Sequence, residues 1–415
     1  MFYLDVGYFW DVLEDVDVDG AIFRASGIDM PSALRRDHER PSDVLFDPQL
    51  YLSDYDLDPD LHESLVLRLC MYEWFGASPP TFDSAASTRR EYRNALRDQL
   101  PELWSERTDP NQNWQEAVDA ALDFQRNFQA TGLILPSPLI RDPEDDLSRF
   151  FERLDDGLAS APDDAPLYVT VALDEGAIAH RDPTSNDLVE SLADGLTARP
   201  EIERVYLVLT SEASPHVQIV NPNVVGSFLR LVSMLSSLEV VVNFVECLGI
   251  ASLGFGATGY CASFYTKGRN LRISDYIARG GGAAYPRFHS ANLALDFDPT
   301  DDVQRLRDRR LLHYLNDDWT TASDNLRGAL QQGLSVADVA DWRKARNNTK
   351  ASRKHFAQVH TRMGNMDWTP DSVFQWVQGA EAAWIYLSDL FENNPLSVPD
   401  GLHLRPWRNA VESLL

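Results

Sequence analysis

The chain has 415 residues, 37 basic against 64 acidic, and a formal net charge of −27. That length buries a large core, either one barrel with an appendage or two to three ordinary domains, and the charge excludes nonspecific attraction to phosphate over the whole surface, so any nucleic-acid contact must be local. The three cysteines, Cys70, Cys247 and Cys261, form no CxxC pair, a sparse odd count that fits a reduced cytosol.

In chain order, the opening "MFYLDVGYFWDVLEDVDVDG" lacks a basic segment followed by an apolar run, so no signal peptide is expected and the protein reads as cytoplasmic. Apolar runs that read as buried parallel strands follow at "GAIFRAS" (20–26), "VLFDPQLYL" (44–52), "TGLILPSPLI" (131–140), "LYVTVALDEG" (167–176) and "RVYLVLT" (204–210). The stretch 240–265 holds Asn243, Glu246 and glycines 249, 254, 256 and 259, too polar and too broken for a membrane span. It reads as a strand at Val240–Val245, a short helix over Ile250–Phe255 and a second strand at Gly259–Tyr265. "NLALDF" (292–297) completes eight.

Amphipathic stretches at Pro143–Leu158, Asn186–Ala198 and Asn223–Ser236 alternate with these runs, which is the rhythm of a (β/α)8 barrel. No GxGxxG follows the first strand to recommend an open doubly wound sheet. The expected fold is therefore α/β, a TIM-like barrel over residues 1–300 with a helical insertion at 53–130 after the second strand, then a helical region over 301–415. The insertion carries Trp74, Trp104 and Trp114, with helices around Leu61–Tyr72, Arg89–Leu100 and Trp114–Phe128. It reads either as a lid over the barrel mouth or as a subdomain on its side. Tryptophans 319, 342, 368, 376, 384 and 407 are expected to form a core for the C-terminal region.

Groups at the carboxyl ends of barrel strands converge on one mouth. Those ends supply Asp47, Asp174, Glu175, Glu212, Glu246 and Asp296. Paired carboxylates in such a mouth divide labour, one protonated as general acid and one ionised as base or nucleophile, which is what glycosidic bond cleavage uses. Glu175 and Glu246 are the leading pair, with Asp174 and Asp47 as further catalytic candidates; the competing reading is a set of solvated loop acids in an acidic chain. Asn243 and Glu246 lie three apart and cannot both point inward from a regular strand, so either one faces elsewhere or the strand ends early. No HxH pair occupies the first strand, and His180 and His216 lie several residues past theirs, so neither a metal nor a cofactor is expected. Cys261 reads as a small buried residue.

Lys267, Arg269 and Arg272, followed by Arg279, Gly280, Gly281, Gly282 and Arg287, read either as a phosphate-binding loop at the mouth or as a flexible surface turn. From Arg343 to Met366 the chain holds Arg343, Lys344, Arg346, Lys350, Arg353, Lys354 and Arg362. Spaced by threes and fours, Arg343, Arg346, Lys350, Arg353 and Lys354 are expected on one broad helix face that either binds nucleic-acid phosphates or pairs with acids of the barrel.

The run "ATGYCASFYTKGRN" resembles the late-barrel segment of tRNA-guanine transglycosylases and their DNA-acting relatives, over the last quarter of the barrel. The likeness is Gly259 entering a strand, Cys261 within it, and a basic loop with Arg269 and Asn270. It implies a (β/α)8 barrel that exchanges a base in nucleic acid. The family's nucleophilic aspartate has no counterpart in "YCASFY", and its cysteine-rich zinc site is absent after Asp296, so the resemblance assigns no catalytic residue. The sequence thus points to an enzyme that cleaves or exchanges a glycosidic bond, with nucleic acid as its partner through 343–362. The alternatives are a noncatalytic nucleic-acid-binding or assembly component on a barrel scaffold and a carbohydrate-active hydrolase.

Overall fold

The computed structural model describes residues 1–6, 13, 16–28, 41–78, 89–162, 164–179, 182–211, 218–277 and 284–415, without the side chains of Thr266 and Lys267. Short apolar runs form β1 (Phe2–Val6), β2 (Gly20–Arg24), β3 (Asp43–Asp47), β4 (Leu133–Leu135), β5 (Leu139–Ile140), β6 (Leu167–Asp174), β7 (Arg204–Thr210), β8 (Glu239–Asn243) and β9 (Gly259–Ala262). Every pairing among them is parallel, in the order β3-β2-β1-β9-β8-β7-β6-β4, and β5 lies beside β6 just beyond β4. Across the remaining gap, Thr131 N donates to Val44 O at 2.8 Å and Val44 N donates to Thr131 Oγ1 at 2.8 Å. The sheet is therefore nearly closed, an α/β TIM-like barrel.

The staves differ from the expected set in three places. β1, absent from the eight sequence runs, lies between β2 and β9 and completes the circuit. Residues 292–297 are not a stave: β11 (Leu295–Phe297) pairs antiparallel with β10 (Phe288–Ser290) as a separate hairpin. Its turn contains no glycine or proline and uses Ala294 at φ 51° instead, so the usual turn residues do not mark it. Residues 131–140 also supply two short strands, β4 and β5, to one position beside β6.

The insertion forms α1 (Glu63–Leu69), α2 (Arg89–Ser105) and α3 (Trp114–Asn127). Its first part crosses the carboxyl ends of the strands: Tyr72 OH donates to Ile28 O, Trp74 Nε1 to Pro48 O, and Tyr55 OH to Thr210 Oγ1 at the end of β7. α3 instead packs on the outside, against β4. The insertion is thus cover and side wall at once.

The crossover helices are α4 (Asp146–Ser160), α5 (Asp187–Thr197), α6 (Pro222–Met234) and α7 (Leu248–Gly254). α5 buries Leu188, Val189, Leu192, Ala193 and Leu196, the single apolar stripe a barrel helix turns toward its sheet. Asn186 caps its start by accepting from Val189 N, and Asn221 with Pro222 starts α6 in the same manner.

The C-terminal helices α8 (Lys350–Gly364), α9 (Pro370–Leu390) and α10 (Leu404–Glu412) close the wall around β1, β9, α6 and α7. Phe356, Val359, Met363 and Trp407 join the main core, while Trp319 and Trp342 sit in a second cluster with Phe288, Leu315 and Phe391. The C-terminal tryptophans therefore serve two cores rather than one. Among the described residues no helix is long and apolar enough to cross a membrane.

Two stability predictions arise here. A Cβ on Gly254, where α7 meets α9, would lie 2.5 Å from Val373 Cγ2 and 2.9 Å from Thr369 O. Backbone cannot yield as a side-chain tip can, so Gly254→Ala is expected to cost about 1–3 kcal/mol in urea unfolding.

Asp318 is fully buried and accepts from Ser290 Oγ, Asn292 N and Asn292 Nδ2. Burial pushes its carboxyl up to about 7, so between an unfolded value near ~3.9 and that figure the native state binds the extra proton. Stability from this group is present at low pH and declines by up to about 4 kcal/mol as pH rises through that window. Asp318→Asn is expected to flatten the decline when unfolding is followed from pH 4 to 8.

Candidate active site

The end of β8 departs from strand geometry at once. Phe244 and Glu246 take φ 62° and 42°, a region that non-glycine residues enter at a cost of about 1–3 kcal/mol each. Asn243 Oδ1 accepts from Phe244 N at 2.7 Å, and Asn243 Nδ2 donates to Tyr206 OH at 2.6 Å. The backbone reversal answers the parity conflict: the strand ends at Asn243, which bonds the β7 residue Tyr206, and Glu246 is released toward a different set of partners.

Those partners are Gln218, whose Nε2 donates to Glu246 Oε2 at 2.8 Å, and Arg269, whose Nη1 lies 2.8 Å from Glu246 Oε1. The same Nη1 donates to Asp296 Oδ2 at 2.5 Å. Arg269 closes the short helix Thr266–Arg269 after β9 and is fixed by Nε to Ser263 O and Nη2 to Phe264 O. Asp296 faces His289 directly across the β10–β11 hairpin, and its Oδ1 accepts from His289 Nδ1 at 2.9 Å. Glu246, His289 and Asp296 bring polar atoms within 4.8 Å of one another, with the Arg269 guanidinium already supplying positive charge to both carboxylates.

A cavity of about 130 Å³ opens over this group, walled by Gln218, Glu246, Arg269 and Asp296 on one side and by Val398 and Leu402 on the other. It is close to the ~150 Å³ that admits a benzene-sized ring. Buried Asp302 holds the Val398 lip by accepting from Ser397 N and Val398 N.

The two carboxyl groups are driven apart. Burial pushes Glu246, 1 % exposed, well above the ordinary carboxylate range, with Arg269 opposing and Asp296 adding to the shift. For Asp296 burial acts the same way but is overcome by Arg269 and His289, which hold it below its ordinary value. Burial thus favours the neutral form of Glu246, while Arg269 and His289 favour the ionised form of Asp296. Burial keeps His289 neutral, so its proton sits on Nδ1, toward Asp296.

The remaining candidates lie elsewhere. Asp47 is wholly buried and accepts from Gln49 N, Tyr51 OH and Tyr206 OH; burial raises it to about 6. Asp174 accepts from Gly176 N and from Thr210 Oγ1. Glu175 begins a short helix, Glu175–Ala179, and is 4 % exposed. Neither Asp174 nor Glu175 lines the Glu246 cavity, so the structure does not bring Glu175 and Glu246 together there. Cys261 is buried as expected. Glu212, His180, His216, Arg279 and Gly280 to Gly282 lie outside the described residues, as does the side chain of Lys267.

The basic segment does not form one helical face. α8 begins only at Lys350, so Arg343 and Arg346 precede it in irregular chain. Lys344 pairs with Asp298 at 2.7 Å, and Arg353 is 8 % exposed, while Lys350 is exposed and Lys354 half-buried. The spacing by threes and fours spanned a helix start that "NNT" places after Arg346. Arg269, expected at a phosphate, is held by the carboxyl groups of Glu246 and Asp296 and the carbonyls of Ser263 and Phe264, and it lines the cavity.

Gln218 and His289 went unread in the sequence. Gln218 follows β7 with no motif, and the only signal for His289 was its place opposite Asp296 in an unmarked hairpin. Comparison with protein-family models, with curated proteins and with solved structures finds no match for this chain.

Proposed function

We propose that the cavity over Glu246 is the active site of an enzyme that cleaves or exchanges a glycosidic bond. The observation that carries the reading is the shared guanidinium nitrogen: Glu246 and Asp296 approach the same Arg269 Nη1 beside a cavity of one ring's volume. Two carboxyl groups with oxygens within 4.8 Å of one another and with unlike environments favour the close arrangement that retaining enzymes use over the wider gap of inverting ones.

In this reading Glu246 Oε protonates the leaving atom as the bond to the anomeric carbon breaks, and Asp296 Oδ attacks that carbon to form an ester. Water, deprotonated by Glu246, then attacks the same carbon and frees Asp296; a second base or sugar in place of water gives exchange. The Arg269 guanidinium balances the changing charge on both groups. The likeness of "ATGYCASFYTKGRN" to tRNA-guanine transglycosylases supports a base as leaving group, since β9, within that run, leads into Arg269.

The test is a panel of aryl glycosides, nucleosides, tRNA and DNA, assayed for released sugar or base and for incorporation of labelled base. Turnover that falls in both Glu246→Gln and Asp296→Asn supports the reading. Full turnover in both variants, or no product from any member of the panel, counts against it.

A further inference from the structure

Behind the Asp296 wall lies a second cluster that this chemistry does not use. Cys247, His289 and His360 are all buried, come from the end of β8, the β10–β11 hairpin and α8, and bring a sulfur and two ring nitrogens within 4.8 Å of one another. Cys247 Sγ already lies 3.9 Å from His289 Nε2.

The hydrogen bonds leave one ring nitrogen on each histidine turned toward the cluster. His289 gives its Nδ1 proton to the ionised Asp296, which leaves a lone pair on Nε2, facing the sulfur. Tyr260 OH donates to His360 O at 3.0 Å and lies 2.9 Å from His360 Nδ1. The hydroxyl has one proton to give; with it on His360 O, Nδ1 carries its own proton and donates it to the tyrosine oxygen, and that is the tautomer a metal ion would select. His360 Nε2 is then a lone-pair nitrogen, fully buried and without a hydrogen-bond partner. Buried polar atoms are rarely left so, because the lost solvation is not recovered.

We propose that Cys247, His289 and His360 form a binding site for a thiophilic closed-shell metal ion of the zinc(II) or copper(I) class. One soft sulfur and two neutral imidazoles are the donors such ions take. The Asp296 and Tyr260 contacts are the outer hydrogen bonds that orient ligating histidines.

Around an ion with bonds of about 2.0–2.3 Å, neighbouring donors sit roughly 3.3–3.7 Å apart, so the Cys247–His289 pair needs little movement. The His289 and His360 rings are stacked at 4.7 Å and 20°, so joining both to one ion requires their donor nitrogens to draw together from within 4.8 Å. Cys247 binds as the thiolate, so binding displaces the thiol proton. The ion would tie the barrel to the hairpin and the C-terminal helix. Asp296 is shared with the proposed reaction, but metal content and turnover are read separately, so either proposal can fail alone.

The experiment strips the full-length protein with chelator and titrates it with zinc(II), with copper(I), and with cobalt(II) as a coloured stand-in for zinc. Expected are about one ion per chain and a near-ultraviolet thiolate-to-cobalt charge-transfer band that Cys247→Ser abolishes. Asp296→Asn is expected to weaken binding about 10- to 100-fold, and His360→Gln to weaken it further. Absence of stoichiometric binding by the wild type would overturn the site, whatever the variants do. So would binding without the thiolate band.

Discussion

Glu246→Gln is expected to lower turnover by about 10²–10⁴-fold on any glycoside the protein accepts, the range a positioned proton donor contributes. The amide keeps the carboxyl's shape: its oxygen can still accept from Arg269 Nη1, and a turned Gln218 amide can accept from its nitrogen. Folding should therefore be little changed, and the lost quantity is the transferable proton. The wild-type rate should fall on both flanks of its pH profile. At high pH Glu246 loses its proton above its raised value, and at low pH Asp296 gains one. The variant keeps only the acid limb, because glutamine has nothing to titrate. An unchanged two-sided profile in the variant would remove Glu246 from the reaction.

Arg269→Met should produce the largest loss of stability, about 3–5 kcal/mol, the usual result of removing one partner from a buried ion pair. Methionine fills much of the volume near Phe356 but leaves Asp296 ionised and short of charge, with the carbonyls of Ser263 and Phe264 unpaired. Glu246 adds little to the loss because burial already favours its neutral form. The sign with pH follows from Asp296. Its depressed value makes its contribution present above the unfolded carboxylate range near ~3.9 and lost as pH falls below it. The gap between wild type and variant in urea unfolding should thus be widest near pH 7 and narrow toward pH 3. Arg269→Lys should recover part of it, since an ammonium can meet a carboxylate but cannot fork to both carbonyls as well.

The barrel was legible because parallel staves buried on both faces read as continuous apolar runs, and β6 to β9 are of that type. "FYLDV" was harder: five residues at the start of the chain, without a preceding helix to set a rhythm, yet it completes the circuit between β2 and β9. The opposite error placed residues 292–297 in the barrel, since a three-residue strand opposite another three-residue strand leaves no periodicity to separate hairpin from stave.

Part of the site is legible for a related reason. Glu246 follows a clear strand, Arg269 lies in a clear basic loop and Asp296 ends an apolar run, though the carboxylates that Arg269 meets belong to the protein itself. Glu175 had equal claim in sequence, but what separates it from Glu246 is the left-handed turn at Phe244 and Glu246, and no residue type there announces such a turn. His289 depends on cross-strand register, which a single sequence does not carry.

The central claim, that Glu246 and Asp296 act as a pair across one cavity, is tested most directly by trapping. Wild-type protein and Glu246→Gln would be incubated with 2-deoxy-2-fluoro glycosyl fluorides of several sugars, and the mass and position of any adduct read by peptide mass spectrometry. A single glycosyl ester on Asp296 is expected, formed also in the variant because fluoride needs little protonation to leave. An ester on Asp47, Asp174 or Glu175, or no ester with a sugar the enzyme demonstrably turns over, would contradict it.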